Sequence, residues 1–430
     1  MDKQFIRDQF KGGHIYSFIG AGGKTSAIKE IARVLVAEGY KVLITTSTKI
    51  SIDEFSDYSV EIEKNIDINN LQHGLTVLVS GISGKKYQGY VKEELENIVQ
   101  IPLDIVILIE ADGSRRLPFK VPYKYEPVIP FNSTKTLLFF SAKVIGEKIT
   151  RENTYNLEKV EEILGTSDLT YSNDNIIKLI AEGWLADTNY RNLKVVINQG
   201  DLVYNDFIAK DLLNRIYNRL GIGAYLVSIK EKKIYHAYDV RIGALILAAG
   251  EGKRMGGIKQ LMEFNNSSFL AETIKKYSAY TQEIIVTLGY HEAEIRNEIK
   301  ELGFKYQQIV GYKEGMSASF REAYIFNADF FLVTPCDLPL IENNTIELLI
   351  RTYRNNPGNI IVPRFKGKKG HPVVFPSELQ RSFSEIKGDI GARDIIKDKG
   401  CIYVDLDDPG IIADIDTLNE YMKIKEEYYG

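Results

Sequence analysis

Residues 244–259 read ALILAAGEGKRMGGIK, and residues 15–25 read IYSFIGAGGKT. In both stretches an apolar run leads into a glycine-rich turn, and a segment with helical periodicity follows. A buried strand that continues through a turn into a helix is the beginning of an α/β unit. Because the chain contains two such beginnings, we predict two domains, 1–238 and 239–430, divided near the charged residues 230–233.

Further apolar runs extend each domain into a sheet. In the first half the predicted strands are residues 15–19, 42–45, 76–80, 105–110, 136–140, 195–198 and 225–228. In the second half they are residues 244–249, 283–287, 330–334, 360–362 and 402–405. Apolar strands that alternate with amphipathic segments indicate buried α/β sheets. Ligands of such sheets bind at the carboxyl ends of the strands, so functional residues are expected there.

Composition limits the classes of partner. The 430 residues are 44% hydrophobic and 26% charged, which is typical of a globular protein. A net charge of −4 gives no overall attraction to polyanions, so we expect no nucleic-acid and no membrane partner. Two cysteines, Cys336 and Cys401, exclude a disulfide scaffold, and the apolar runs are far shorter than the roughly 20 residues of a bilayer span. A cytoplasmic protein is predicted.

The first glycine-rich turn has the context of a phosphate loop. Gly20, Gly22 and Gly23 precede Lys24 and Thr25, between a predicted strand and a predicted helix. Backbone N–H groups of such a loop cradle phosphates, the lysine reaches the terminal phosphates and the threonine holds magnesium. We therefore predict a P-loop NTPase-like parallel sheet that binds ATP or GTP through these five residues. The alternative is a tight turn that binds nothing.

Two further strand ends support a nucleotide site. Asp112 follows the strand at 105–110 and is predicted to bind magnesium together with Thr25. Asp201 ends the sequence NQGD (198–201), which resembles the base-reading NKxD element of P-loop GTPases, although an Asx turn is the alternative. The hydroxyl-rich residues 45–49 follow another strand. They either reach the magnesium ion or the γ-phosphate of a bound nucleotide, or they form a solvated turn.

A basic segment lies beside Asp112. Arg115, Arg116 and Lys120 follow this carboxylate within eight residues. The segment is either an anion site or a solvated basic loop, and the sequence favours neither.

The second glycine-rich turn carries two cations. Arg254 and Lys259 are predicted to stabilise the charge that develops on a triphosphate and on its leaving pyrophosphate. The nucleotide-binding residues of this turn are Leu247, Ala248, Ala249, Gly250 and Gly252. A purely structural glycine turn is the alternative.

Two acidic residues at later turns complete the predicted chemistry. Asp337 follows the apolar strand at 330–334 and is the leading candidate for a magnesium ligand, and Asp416 is the second. Arg254, Lys259 and Asp337 are therefore the predicted catalytic residues. His371 lies in a basic, glycine-rich loop that suits a phosphorylated acceptor, with a solvent-facing turn as the alternative.

The first half resembles a known family. The strings GAGGKT, TTSTKI, EADGSRRLPFK, EPVIP and NQGD, within about residues 1–235, resemble the YqeC-type accessory proteins of selenium-dependent molybdenum hydroxylases. The resemblance implies a P-loop nucleotide-binding domain. It also implies an apo molybdenum hydroxylase of the xanthine dehydrogenase type as a partner.

The second half resembles a different family. The strings LAAGEGKRMG, EGMSASF, PCDLP, GHPVVF, GDIGAR and DIDTLNEY, within about residues 242–425, resemble the molybdenum cofactor cytidylyltransferases among the MobA-like nucleotidyltransferases. The resemblance implies a Rossmann-like nucleotidyltransferase sheet and, with Mg²⁺, transfer of CMP from CTP to the molybdopterin cofactor. It implies contacts to the pterin substrate from Gly370, His371, Gly388, Asp389 and Arg393.

Both resemblances concern the same class of enzyme, so we predict a fused maturation enzyme that makes molybdopterin cytosine dinucleotide and pyrophosphate. Three alternatives remain open. In the first, the donor is GTP rather than CTP. In the second, the acceptor is a sugar phosphate. In the third, the chain is a nucleotide-switched delivery protein with little transferase activity.

Overall fold

The computed structural model describes residues 2–165, 169–186, 190, 192–252, 255–265, 267–301, 304–323, 326–386 and 392–429. The chain divides into two compact units, Met1–Asp239 and Val240–Gly430, called here the N-terminal and the C-terminal unit. No helix in the described part of the chain has the length and hydropathy needed to cross a bilayer.

The N-terminal unit is built on a nine-stranded sheet of described residues, in the order β14-β13-β12-β10-β1-β8-β2-β5-β4. Its strands and those of two small accessory sheets are β1 (His14–Gly20), β2 (Lys41–Thr46), β3 (Ile50–Ser51), β4 (Val60–Ile62), β5 (Leu75–Val79), β6 (Gly81–Ser83), β7 (Lys86–Gln88), β8 (Ile105–Glu110), β9 (Phe119–Lys120), β10 (Lys135–Ser141), β11 (Thr154–Tyr155), β12 (Lys194–Asn198), β13 (Gly223–Ser228) and β14 (Lys233–Tyr238). Within the main sheet only the pairing of β13 with the edge strand β14 is antiparallel.

Helices cover the N-terminal sheet. They are α1 (Lys3–Gln9), α2 (Lys24–Ala37), α3 (Lys92–Glu96), α4 (Leu157–Leu164), α5 (Asn173–Lys178), which continues into a π-helix (Leu179–Trp184), and α6 (Asp206–Leu220). Neighbouring residues of β1 pack into different hydrophobic clusters, with Ile15 and Ile19 in one and Tyr16 and Phe18 in the other. Both faces of the strand are therefore buried, which explains its continuous apolar run.

The described residues of the C-terminal unit form a mixed eight-stranded sheet, in the order β19-β18-β15-β20-β23-β21-β22, with β24 paired to β21. Its strands and those of one short hairpin are β15 (Ile242–Leu247), β16 (Glu263–Phe264), β17 (Ser267–Ser268), β18 (Glu283–Leu288), β19 (Lys305–Gln308), β20 (Phe330–Pro335), β21 (Ile361–Phe365), β22 (Lys368–Lys369), β23 (Val373–Pro376) and β24 (Ile402–Asp405). Its helices are α7 (Phe269–Ser278), α8 (Glu292–Glu301), α9 (Met316–Glu322), α10 (Asn343–Asn355), α11 (Arg393–Lys399) and α12 (Leu418–Tyr429).

The predicted mixed α/β class is confirmed, and each predicted strand has a counterpart in one of the two sheets. The prediction missed β23, which pairs antiparallel with β20. This strand belongs to the GHPVVF string, where four residues give too short a run to separate a strand from a loop. In both units the glycine-rich turn follows a strand that is flanked by two parallel neighbours, β8 and β10 around β1, and β18 and β20 around β15.

Candidate functional site

The glycine-rich turn of the C-terminal unit forms one wall of a cavity. β15 ends at Leu247, Ala248 and Ala249 are buried, and Gly252 has a φ of +65°, which favours glycine. The cavity has a volume of about 330 Å³ and is lined by Leu247, Ala248, Gly250, Glu251, Gly252, Lys259, Gln260, Cys336, Asp337 and Asp416. The structure thus brings most of the predicted nucleotide-binding turn together with three of the predicted charged residues.

Lys259 joins two carboxylates in this cavity. Its Nζ lies 2.6 Å from Oδ2 of Asp337, which follows β20, and 2.6 Å from Oδ1 of Asp416, which precedes α12. The lysine side chain is buried, with 8% exposed, whereas the carboxylates are 21% and 40% exposed. Burial by itself lowers the pKa of Lys259, but the two carboxylates raise it by a larger amount. The pKa therefore lies above its ordinary value, and the ammonium is the stable form. The site therefore holds a fixed positive charge next to the glycine-rich turn.

The same carboxylates affect their neighbours. Burial, and then the charges of Asp337 and Asp416, raise the pKa of Asp414 to about 6. Burial raises the pKa of the Cys336 thiol well above its usual range, so this residue is a poor nucleophile. Burial lowers the pKa of His371 by more than the hydrogen bond to the Val333 carbonyl and the charge of Asp337 raise it, so neutral imidazole is the stable form near neutral pH.

The donor set of this cavity fits a magnesium ion that arrives with a nucleotide. Among the described residues no group of three or more His, Cys, Asp or Glu side chains is placed to hold a metal by itself. Mg²⁺ is commonly bound by one or two carboxylates plus substrate phosphates. Oδ1 of Asp337 is buried and accepts no hydrogen bond from any described residue, so it remains available as a ligand. Asp337 and Asp416 would hold the ion.

One residue of this site was not predicted from the sequence. Gln260 directly follows Lys259, lines the cavity and donates through Nε2 to the carbonyl oxygens of Ala248 and Gly250, at 2.9 and 2.8 Å. These bonds fix the shape of the glycine-rich turn. Only its position next to a predicted catalytic lysine could have indicated this role.

The predicted pterin-binding residues of the C-terminal unit do not line this cavity where the structure describes them. Gly370 and His371 precede β23, and the backbone N–H of His371 donates to the carbonyl of Ile411 at 2.9 Å. Neither residue lines the cavity, and Arg393 is exposed at the start of α11. Three predicted residues, Arg254, Gly388 and Asp389, lie outside the described residues. The pterin-binding role of this set stays a prediction.

In the N-terminal unit the glycine-rich turn passes directly into α2. Gly20, Gly22 and Gly23 have φ values of +91°, +73° and +106°, so all three adopt backbone conformations that favour glycine. A Cβ atom at Gly23 would lie 2.6 Å from Nδ2 of Asn198. The turn therefore packs closely against the end of β12, and the backbone N–H groups of the first helical turn lie at its open side.

Lys24 is bound within this turn. Its Nζ donates to the carbonyl of Gly20 at 2.5 Å and lies 3.0 Å from Oδ1 of Asp112 and 3.8 Å from Oε1 of Glu110. Burial by itself lowers the pKa of Lys24, but the two carboxylates raise it by a larger amount. Lys24 therefore stays charged although its side chain is only 2% exposed. Oγ1 of Thr25 donates to Oε2 of Glu110 at 2.8 Å. Glu110 is thus the carboxylate next to the predicted magnesium ligand Thr25.

Asp112 lies beneath the turn. Its side chain is fully buried, accepts a hydrogen bond from the backbone N–H of Gly20 at 3.0 Å and lies 3.0 Å from Nζ of Lys120. Lys120 is also buried and pairs with Glu126 at 2.7 Å. In the described part of the chain Glu110, rather than Asp112, lines the adjoining cavity. The magnesium role of Asp112 stays a prediction, and Glu110 is a second candidate.

The cavity over the N-terminal turn has a volume of about 760 Å³. Its described lining residues are Gly22, Gly23, Lys24, Thr25, Ser26, Thr48, Lys49, Ile50, Ser51, Glu54, Lys86, Glu110, Gly113, Ser114, Arg115, Arg116, Pro118, Glu126, Lys143, Tyr155 and Gln199. The hydroxyl-rich segment after β2 and the basic segment after β8 therefore reach the same space as Lys24 and Thr25.

The NQGD segment contacts the turn through a different residue from the one predicted. Nδ2 of Asn198 donates to the carbonyl of Gly22 at 2.9 Å, and Gln199 lines the cavity. Asp201 lies in a short 3-10 turn and is not among the lining residues. Its role in reading a base stays a prediction.

Comparison with known proteins places both units. Residues 244–402 match the family described as the MobA-like NTP transferase domain, so the C-terminal unit belongs to the nucleotidyltransferases. Residues 16–158 match the family described as YqeC protein, and the chain belongs to this family through its N-terminal unit. The predicted fusion of a YqeC-type part with a MobA-like part is therefore confirmed.

Individual relatives agree with this assignment. The "Uncharacterized protein YqeC" of Escherichia coli (strain K12) is 35% identical over 174 residues, which cover 39% of this chain and 67% of the relative. The "Molybdenum cofactor guanylyltransferase" of Shewanella sp. (strain MR-4) is 28% identical over 143 residues, which cover 32% of this chain and 68% of the relative.

Two solved structures are similar to part of the chain. The structure of Rv0371c from Mycobacterium tuberculosis H37Rv has 21% identity and a TM-score of 0.39, and the match covers 44% of this chain and all of that one. A structure of Rv0371c in complex with manganese has 20% identity and a TM-score of 0.37, and the match covers 43% of this chain and 98% of that one.

Proposed function

We propose that the C-terminal unit transfers a nucleotidyl group to the molybdopterin cofactor, with CTP as the donor and CMP as the transferred group. The observation that carries this proposal is the position of Lys259, which is held by Asp337 and Asp416 next to the glycine-rich turn. A positive charge and two acidic residues beside a glycine-rich turn match a nucleoside triphosphate with its metal ion.

The proposed reaction is an in-line displacement. A phosphate oxygen of molybdopterin attacks the α-phosphorus of CTP, the bond from this phosphorus to the bridging oxygen breaks, and pyrophosphate leaves. When bound, Mg²⁺ would neutralise phosphate charge at Asp337 and Asp416. Lys259 releases its carboxylates and stabilises the negative charge of the leaving pyrophosphate. The attacking phosphate monoester is already anionic at neutral pH, so no general base is needed.

GTP is the second candidate donor. Several curated relatives that match the C-terminal unit are named molybdenum cofactor guanylyltransferases, among them those from Shewanella sp. (strain MR-4) and Shewanella putrefaciens. The charged groups of the cavity contact the triphosphate in either reaction, so they do not select the base.

For the N-terminal unit we propose nucleotide binding at the P-loop formed by Gly20, Gly22, Gly23, Lys24 and Thr25. Thr25 with Glu110 or Asp112 would hold the accompanying Mg²⁺. The open start of α2 and the buried charge of Lys24 support this proposal. The resemblance of the N-terminal strings to the YqeC-type accessory proteins supports a proposed role next to an apo molybdenum hydroxylase, which would receive the finished cofactor.

The deciding experiment measures pyrophosphate release by the full chain with Mg²⁺, molybdopterin and either CTP or GTP. We expect release with CTP, and loss of at least about a thousandfold in rate in Asp337→Asn, because this substitution removes a metal ligand and a partner of Lys259. Asp407→Asn is the matched control, since Asp407 is exposed and does not line the cavity.

The outcomes separate the candidates. Pyrophosphate release with GTP and not with CTP would mean that the enzyme transfers GMP instead of CMP. Full activity of Asp337→Asn removes Asp337 from the site. No release with either nucleotide, from a protein that binds nucleotide, contradicts the transferase proposal and favours a delivery protein.

A further inference from the structure

The cavity of the N-terminal unit has more positive charge than its own carboxylates balance. Its described lining residues include six cations and three carboxylates. Lys24 and Arg116 are paired, the latter with Glu54 at 3.0 Å. The remaining four cations, which form no ion pair with a described carboxylate, are Lys49, Lys86, Arg115 and Lys143. An excess of cations around a concave space indicates an anionic ligand.

Three of these four cations lie on one side of the P-loop. In the sheet order β8 and β2 lie on one side of β1, and β10 and β12 lie on the other. Arg115 follows β8, Lys49 follows β2, and Lys86 begins β7, which pairs with β3. We call Lys49, Lys86 and Arg115 the basic rim. Gln199, which belongs to the predicted base-reading segment, lies on the opposite side, after β12.

The loop that carries Arg115 is held in an unusual conformation. Arg115 and Arg116 have φ values of +51° and +63°, a region that residues with a Cβ adopt at a cost of about 1–3 kcal/mol each. The guanidinium of Arg115 lies 5.5 Å from the ring centroid of Tyr155, another lining residue. Two consecutive residues of this kind at a cavity wall fit a loop shaped for ligand binding rather than a solvated turn.

We propose that the basic rim binds a second ligand, a small molecule with a phosphate group, while the P-loop holds a nucleoside triphosphate. This inference rests on the nucleotide binding proposed for the N-terminal unit. A cavity of about 760 Å³ lies in the upper part of the range of small-molecule sites, so it has room for both. Lysine and arginine together favour a dianionic phosphate over a singly charged carboxylate.

The chain contains a suitable reporter. Trp184 is the only tryptophan of the sequence. It lies in the N-terminal unit, where its indole N–H donates to the carbonyl of Lys120 at 3.1 Å. The ammonium of Lys120 pairs with Glu126, which lines the cavity. Tryptophan fluorescence is therefore the first readout of ligand binding in this unit.

The experiment titrates the full chain with inorganic phosphate at constant ionic strength, after saturation with Mg²⁺ and a β,γ-methylene analogue of ATP or GTP. The analogue fills the γ-phosphate position, so added phosphate has to bind elsewhere. We expect saturable binding that becomes about five- to tenfold weaker in Lys86→Gln and in Lys49→Gln. Lys85→Gln is the matched control, because Lys85 is the exposed neighbour that does not line the cavity, and it should bind as the unaltered protein does.

Each outcome decides the question. The second site is overturned if phosphate no longer binds once the analogue is present. It is also overturned if phosphate binds to Lys86→Gln as tightly as to Lys85→Gln. Acetate that binds more tightly than phosphate overturns the phosphate assignment. Failure of the nucleotide proposal looks different, because binding of the labelled analogue in equilibrium dialysis is then the same for the unaltered chain and for Thr25→Ala. Equilibrium dialysis of radiolabelled phosphate on the same variants provides the answer if the fluorescence of Trp184 does not respond.

Discussion

The two glycine-rich turns use a buried lysine in different ways. Lys24 bonds to the main chain of its own turn and faces carboxylates that are 0% and 11% exposed. Lys259 bonds to no carbonyl of its turn in the described structure, and its two carboxylates are 21% and 40% exposed. A lysine after a glycine-rich turn therefore does not have one fixed role. The exposure of its partners decides how strongly the loss of its charge destabilises the fold.

The largest expected effect comes from removing each charge in turn. Lys24→Met should lower the free energy of unfolding of the N-terminal unit by about 3 kcal/mol, at the lower end for a broken buried ion pair because Lys120 still neutralises Asp112. Lys259→Met should cost under about 1 kcal/mol, because water solvates its partly exposed carboxylates. It should nevertheless slow nucleotidyl transfer at least about a hundredfold.

Urea unfolding followed by Trp184 fluorescence measures the first change, and circular dichroism with pyrophosphate release measures the second. Equal losses of stability in the two variants would show that the exposure of the carboxylates does not distinguish the two lysines.

A smaller effect is expected from a methyl group in the second turn. A Cβ at Gly250 meets no atom within 4 Å, so Gly250→Ala should fold normally. We expect its KM for the nucleoside triphosphate to rise about tenfold, because phosphates approach the backbone there. The matched variant Ala249→Gly leaves this approach open. Unchanged kinetics of Gly250→Ala would mean that the nucleotide does not contact this wall of the cavity.

The smallest effect concerns a buried lysine without a carboxylate in direct contact. Nζ of Lys135, at the start of β10, donates to the main-chain and side-chain oxygens of Gln9 at 2.7 and 2.9 Å. Burial, with a contribution from Lys194, lowers the pKa of Lys135 from 10.5 to about 7. The unfolded chain therefore binds more protons than the folded one between these values, so this lysine destabilises the fold most below pH 7 and less as the pH rises towards 10.5.

Lys135→Met should accordingly raise the free energy of unfolding below pH 7 by about 1 kcal/mol, after allowance for the two lost hydrogen bonds. The advantage over the unaltered protein should shrink as the pH rises above 7 and become a disadvantage before pH 10.5, because a pKa lowered from 10.5 to about 7 corresponds to several kcal/mol. Urea unfolding followed by Trp184 fluorescence across this range provides the test. A difference between the two proteins that does not change with pH would show that Lys135 stays protonated in the folded state.

Much of the architecture could be predicted from the sequence because the central strands are buried on both faces. β1, β8 and β10 consist of buried residues throughout, and their apolar runs are visible without any tertiary information. The convergence of Lys259, Asp337 and Asp416 on one cavity was expected for a related reason. Lys259 and Asp337 follow β15 and β20, and the carboxyl ends of such strands are where α/β sheets bind ligands.

The remaining features depend on contacts that the sequence does not encode locally. Lys86 reaches the N-terminal cavity through β7 and β3, which have three and two residues and therefore no readable periodicity. Glu110 and Asp112 are only two residues apart but lie in different places. Glu110 is the last residue of β8 and lines the cavity, whereas Asp112 lies beneath the glycine-rich turn. The choice between CTP and GTP depends on contacts to the base, which the charged residues do not determine.

The ammonium of Lys259 acts as an internal counter-ion for Asp337 and Asp416 before any substrate arrives. A free divalent ion that took the carboxylate oxygens bound by Lys259 would displace it and leave a buried positive charge without a partner, which is unfavourable. A triphosphate supplies both a metal ion and new oxygens for the lysine in the same event. We therefore expect an ordered kinetic scheme in which the metal is a co-substrate that enters with its nucleotide and departs with pyrophosphate, rather than a resident of the resting enzyme.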